Sequence, residues 1–117
     1  MMDDDAPYLH PIASPSGPIV ELPVQWILDD APFFMFRAPY YRPISALSTA
    51  YEAWVEEFEG LYSERSRGKC YVLTMHPFIS GRPGRVRLLE KLIELIESRP
   101  DIAFYTCEEV ARHYQAL

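Results

Sequence analysis

An α/β fold of about three strand–helix units is predicted by three features of the sequence. Short apolar, β-branched runs stand at residues 19–24, 70–75 and 101–105. Amphipathic helical patterns, or a helix-capping signal, follow each of them. Strand, loop and helix therefore alternate three times, which calls for parallel pairing with right-handed crossovers.

Taken in order, residues 1–18 carry Pro7, Pro11, Pro15, Gly17 and Pro18, and are expected to be an irregular lead-in. Ile19-Val20-Glu21-Leu22-Pro23-Val24 has the pattern of a buried strand. Pro23 belongs near its end, because proline cannot donate to a ladder. Residues 25–45 form a long loop holding Trp26, Phe33, Phe34, Phe36, Tyr40 and Tyr41. Long connections are usually functional or disordered, and this aromatic content argues against disorder. The loop is expected to fold over something.

Leu47, Ala50, Tyr51, Trp54, Val55 and Phe58 recur at helical spacing, with Glu52, Glu56, Glu57 and Glu59 on the wet face. This helix should stop before Gly60 or fray through 63–68. Cys70-Tyr71-Val72-Leu73-Thr74-Met75 reads as a second strand, ended by His76-Pro77, and 80–84 as a turn. Val86, Leu89, Leu92, Ile93 and Ile96 mark a helix over 85–99, ended by Pro100. Asp101-Ile102-Ala103-Phe104-Tyr105 is the third strand. Thr106 with Glu109 three residues on is a capping box, opening a last helix through Tyr114.

Length and charge bound the function. The 117 residues make one domain at most, and the net charge of −6, with no basic stripe, excludes a nucleic-acid footprint. No apolar run reaches the roughly 20 residues of a bilayer span. Met-Met-Asp-Asp-Asp lacks the regions of a signal peptide, so a cytoplasmic location is expected, with no membrane partner. Cys70 and Cys107 have no zinc-site spacing, and so sparse a use of cysteine suits a reducing compartment. Three parallel strands cannot close a barrel, and both sheet edges would expose unpaired backbone. Another copy, another chain or an N-terminal half is expected to cover them.

Functional groups gather at the C-terminal ends of parallel strands. His76 ends the second strand, while Asp29 and Asp30 lie on the loop after the first, so the three can meet at one rim. A carboxylate beside an imidazole fixes its tautomer and raises its pKa. The alternatives are a structural histidine, aspartates serving as turn formers or caps, and aromatics serving as packing. His10, His76 and His113 show no ligand spacing, and Asp3-Asp4-Asp5 reads as solvated, so no metal site is expected.

These residues resemble a known family. The run Ile19–Phe36, with Glu21 to Phe34 inside it, is similar to the fourth motif region of polysaccharide deacetylases with the NodB-homology fold. Tyr71-Val72-Leu73-Thr74-Met75-His76-Pro77 resembles their fifth motif. Gly81-Arg82-Pro83 and the run from Phe104 to Ala111 resemble their ending. The similarity is greatest to the subgroup of peptidoglycan-deacetylase-like proteins and metal-independent allantoinases. It implies that the chain is the C-terminal part of a distorted (β/α)7 barrel. It also implies amide hydrolysis, with His76 protonating the leaving amine, Asp30 or Asp29 orienting it, and Trp26, Phe34 and Arg82 lining the substrate pocket.

Complete members of the family often use a divalent metal such as zinc. Their early aspartate motif and paired histidines would precede Met1, so this chain by itself is expected to hold no metal and to be inactive. Two readings remain. One is a split or truncated hydrolase, acting on an N-acetylated sugar or small amide, that needs a chain supplying the N-terminal half. The other is a non-catalytic remnant that self-associates through sheet edges or serves as a binding module.

Overall fold

The computed structural model describes residues 5–39 and 41–115. Asp3, Asp4 and Tyr40 lie outside the described residues.

The first element corrects the expected lead-in. Tyr8–Ser14 (β1) and Gly17–Glu21 (β2) form an antiparallel hairpin, registered by Tyr8 opposite Glu21 and Ser14 opposite Gly17. Proline density suggested irregular chain, but a two-stranded ribbon is all edge, and edges tolerate proline. The register slips between Leu9 and Ala13, where Pro11 falls. Gly17 turns the chain at φ 112°, which suits glycine, and its carbonyl accepts the Ser14 hydroxyl at 2.7 Å.

The three parallel strands are also corrected. Among the described residues the parallel pairing is one bridge, Asp29 with Thr74. The Asp30 N–H donates to the Thr74 carbonyl at 3.1 Å, and the Thr74 N–H to the Leu28 carbonyl at 2.8 Å. Residues 101–105 are extended or bent without a ladder, and are exposed throughout. Periodicity identifies an extended run, whereas a strand also needs a neighbouring backbone to pair with.

The long loop is ordered around a tryptophan. Residues 26–28 form a 3-10 turn and Ala31–Phe34 a short helix (α1). Leu47–Ser63 is the long helix α2, which runs through Gly60 before a 3-10 turn at 65–67 ends at Gly68 in the left-handed conformation. Trp54 of α2 is fully buried, and its indole N–H donates to the Ile27 carbonyl at 2.9 Å. Phe33 and Phe34 meet its ring edge-on, with centroids 5.7 and 6.2 Å away. The loop aromatics at these positions are core rather than lid. The Tyr71 hydroxyl donates to the Trp54 carbonyl at 3.1 Å, and burial pushes its phenol pKa up.

After the second extended segment, Pro77–Ser80 is a single helical turn (α3) and Pro83–Glu97 is helix α4. Leu88, Leu92 and Ile96 of α4 pack against Ala50, Trp54 and Phe58 of α2, with Leu28, Phe34 and Ile79 completing the core. The expected apolar face of α4 is rotated. Val86 and Ile93 stay about two-fifths exposed, because the contact follows a ridge of residues four apart rather than the whole apolar arc. Cys107–Gln115 is α5, and its capping box forms: the Thr106 N–H donates to Glu109 Oε2 at 2.7 Å and the Glu109 N–H to Thr106 Oγ1 at 3.2 Å. Both cysteines are free, Cys70 partly buried and Cys107 exposed.

Candidate active site

The two aspartates sit between the 3-10 turn and α1, Asp29 with extended backbone and Asp30 with helical backbone. Leu28 and Asp30 are buried and Asp29 is partly buried. Asp29 Oδ1 accepts the Ala31 N–H at 2.8 Å, at the start of a helix whose N-cap residue, Asp30, makes no side-chain capping bond. Asp30 is fully buried and points at the second extended segment.

There it meets His76. Asp30 Oδ1 lies 2.6 Å from His76 Nδ1, and Asp30 Oδ2 accepts the His76 backbone N–H at 2.8 Å. A carboxylate can only accept, so Nδ1 carries a proton and Nε2 is left as the atom that titrates. The His76 side chain is 38% exposed. Its pKa is raised above the ordinary histidine value, first by the hydrogen bond to Asp30, with the Asp30 and Asp29 charges adding and partial desolvation opposing. Asp29 Oδ1 is more distant, 3.9 Å from Nδ1. Asp30 is thus the direct partner and Asp29 a neighbouring charge.

A third residue, unremarked in the sequence, completes the arrangement. Ser80 is buried and its hydroxyl donates to Asp30 Oδ2 at 2.6 Å. Proline at the first position of α3 starts one helical turn directly after His76, which brings the residue four positions later back beside it. That spacing was the available signal.

The proposed pocket residues do not all gather at this site. Phe34, Ser45, Ala46, Leu47, Arg82, Gly84 and Arg85 line an open cleft of about 350 Å³ between the starts of α2 and α4. Phe34 is nevertheless a core ring, 3% exposed, with the Arg85 guanidinium 4.8 Å over its face. Trp26 and His76 are not in the cleft wall, and Trp26 is 68% exposed. Phe78, 74% exposed, lies with its ring 5.7 Å from that of His76. His113 lies exposed on α5.

Asp29, Asp30 and His76 are close enough to be considered as metal ligands, with one atom of each within 4.8 Å of the others. The donor set does not fit an ion. Two ligands on a tetrahedral zinc, each about 2.0 Å from it, stand about 3.3 Å apart. Nδ1 and Oδ1 are at hydrogen-bond distance instead, and both Asp30 oxygens are already engaged by donors. Asp30 and His76 are instead joined by hydrogen bonds.

Comparison with known proteins agrees with the motif reading. No family model matches the chain. Over 95 residues, 80% of this chain, it is 30% identical to the peptidoglycan deacetylase of Helicobacter pylori, and over 63 residues it is 36% identical to a proposed polysaccharide deacetylase of Schizosaccharomyces pombe. The chain spans 32% and 20% of those two relatives. Crystal structures of proposed polysaccharide deacetylases from Mycobacterium smegmatis and Pseudomonas aeruginosa superpose with TM-scores of 0.83 and 0.80, at 36% and 25% identity. They match 99% and 97% of this chain, which covers 40% and 37% of theirs. The mixed α/β fold is shared with them. By sequence and by structure, the chain is a homologue of the polysaccharide and peptidoglycan deacetylases and corresponds to a fragment of them.

Proposed function

We propose that this chain is the histidine-bearing part of a deacetylase-type amide hydrolase, in which His76 protonates the departing nitrogen. The observation that carries this reading is the 2.6 Å pairing of His76 Nδ1 with the buried Asp30. In hydrolysis of an N-acetyl group, water adds to the carbonyl carbon and the C–N bond breaks. Acetate forms, and the nitrogen takes a proton as it leaves. An imidazolium whose Nδ1 is held by a carboxylate donates from Nε2 and does so near neutral pH. Asp30 holds the ring's orientation and stabilises its charge.

Attack on the carbonyl is not assigned to this chain. The portion of a deacetylase-type domain that this chain does not span would supply it, together with any divalent ion, so the chain alone is inactive. The substrate is an N-acetylated sugar or a small amide, and the location cytoplasmic; among the described residues no helix is long and apolar enough to cross a membrane. Co-expression with the portion of the Mycobacterium smegmatis relative that this chain does not cover tests the reading. Acetate release from N-acetylglucosamine oligomers, lost on His76→Ala, is the expected result. A complex that forms and is as active with His76→Ala would overturn it.

A second reading, a self-associating module without catalysis, is favoured by residues 101–105. Among the described residues their backbone makes no backbone hydrogen bond, and Phe104 and Tyr105 are 62% and 68% exposed. Light scattering separates the two: a stable dimer that excludes the complementary portion supports self-association.

A further inference from the structure

We infer that Ser80 is a positioning residue for His76: its hydroxyl locks the Asp30 carboxylate in the one rotation that presents Oδ1 to the imidazole. The inference rests on the hydrolase reading for its purpose, although the geometry stands without it.

The bonds close a ring. His76 Nδ1 meets Asp30 Oδ1 at 2.6 Å, Asp30 Oδ2 accepts the Ser80 hydroxyl at 2.6 Å, and the Ser80 N–H donates to the His76 carbonyl at 2.8 Å. The His76 N–H to Asp30 Oδ2, at 2.8 Å, braces the ring across its middle. Asp30 cannot shift as a unit, since its own N–H donates to Thr74 and its carbonyl accepts from Phe33 and Phe34. The freedom left to it is rotation of the carboxylate, and that is the motion the hydroxyl opposes together with the His76 N–H. Without the hydroxyl, Oδ2 keeps the His76 N–H but loses one of its two charge-assisted bonds in a place water does not reach.

Ser80 is in turn delivered by its own turn. Ile79 is buried beside it in the core, and the Arg85 guanidinium donates to the Ile79 carbonyl from α4. Gly81 follows with its N–H on the Pro77 carbonyl, and a Cβ at that position would collide with the same oxygen. Glycine there lets α3 close tightly enough to return Ser80 to Asp30. The Asp29 carboxylate faces the same ring nitrogen from 3.9 Å, but it is committed to capping Ala31 and does not share the Ser80 bond.

Two effects of removing the hydroxyl have opposite signs, and this makes the role testable. A hydroxyl dipole aimed at Asp30 weakens the pull of that carboxylate on the imidazolium, so simple loss of the dipole would raise the His76 pKa. Loss of positioning loosens the ring hydrogen bond and lowers it.

The test is nuclear magnetic resonance of the chain itself, without substrate or partner. In Ser80→Ala the Nδ1 proton of His76 should broaden or disappear through exchange, and the ring's titration midpoint should fall toward the ordinary value. Ser80→Thr, which keeps the hydroxyl, should restore both. An unchanged or raised midpoint in a folded Ser80→Ala chain would overturn the inference. Should that variant fail to fold, the Ser80 hydroxyl proton of the unaltered chain is the second readout. Slow exchange, with a chemical shift that tracks His76 titration, supports the role; exchange as fast as a free serine hydroxyl contradicts it. Neither outcome depends on activity, so failure of the hydrolase reading would leave these titrations as they are.

Discussion

Nδ1 of His76 stands 2.6 Å from Oδ1 of Asp30, across 46 positions of sequence. The segments carrying the two residues are tied to each other by a single parallel bridge between Asp29 and Thr74. A well-formed side-chain network thus sits on a sparsely paired backbone, and the two kinds of contact hold the rim together jointly.

Replacing Asp30 by asparagine should disturb both. The carboxylate accepts from His76 N–H, His76 Nδ1–H and Ser80 Oγ–H, whereas an amide presents one accepting oxygen and a competing NH₂. Loss of about 1–3 kcal/mol of stability is expected, with the His76 titration moving down. Asp29→Asn should be nearly neutral, because asparagine caps a helix about as well as aspartate. Urea unfolding of the two variants side by side checks the contrast.

The pH dependence of stability follows from the direction of the His76 shift. Its folded pKa is raised above the unfolded value of about 6.5. The native chain therefore binds more protons than the unfolded chain between those two values. The contribution of the pair is complete below about pH 6.5 and declines as pH rises through the folded pKa. The difference in denaturant midpoint between the unaltered chain and His76→Gln should shrink over that interval.

Trp54 organises the loop that carries the aspartates. Trp54→Phe keeps an aromatic between Phe33 and Phe34 but removes the indole bond to Ile27. About 1–3 kcal/mol should be lost, from the unmet carbonyl and the smaller ring together. Amide exchange at Leu28 and Asp30 should quicken, since their segment hangs from that contact.

Thr106→Ala tests the last helix alone. Its hydroxyl accepts the Glu109 N–H and donates to the Glu109 carboxylate, whose pKa is held down by the backbone and side-chain hydrogen bonds from Thr106. A cost of about 0.5–2 kcal/mol is expected. Hydrogen exchange should report it within α5 and leave α2 and α4 unchanged.

What could be read in advance depended on whether the cause was local. The repeat of Ala50, Trp54 and Phe58 and the Thr106–Glu109 box are local patterns, and both helices form where these place them. The meeting of His76 with the aspartates was legible because His76 ends one extended run and the aspartates lie on the loop that follows another. The hairpin was hidden because Pro11 and Pro18 mask a ribbon that has no interior strand. The extended runs at 70–75 and 101–105 carry strand composition, but a ladder depends on a neighbour that no local pattern reveals. Arg82 and Phe34 share a cleft while Trp26 stands outside it, a difference set by how α2 and α4 begin.

The most direct test of the account is a nitrogen-15 titration of the His76 ring. The structure requires Nδ1 to keep its proton throughout, with Nε2 releasing its own at a midpoint above the ordinary histidine value. Deprotonation at Nδ1, or a midpoint at or below that value, would contradict the assignment of this imidazole as a carboxylate-held proton donor.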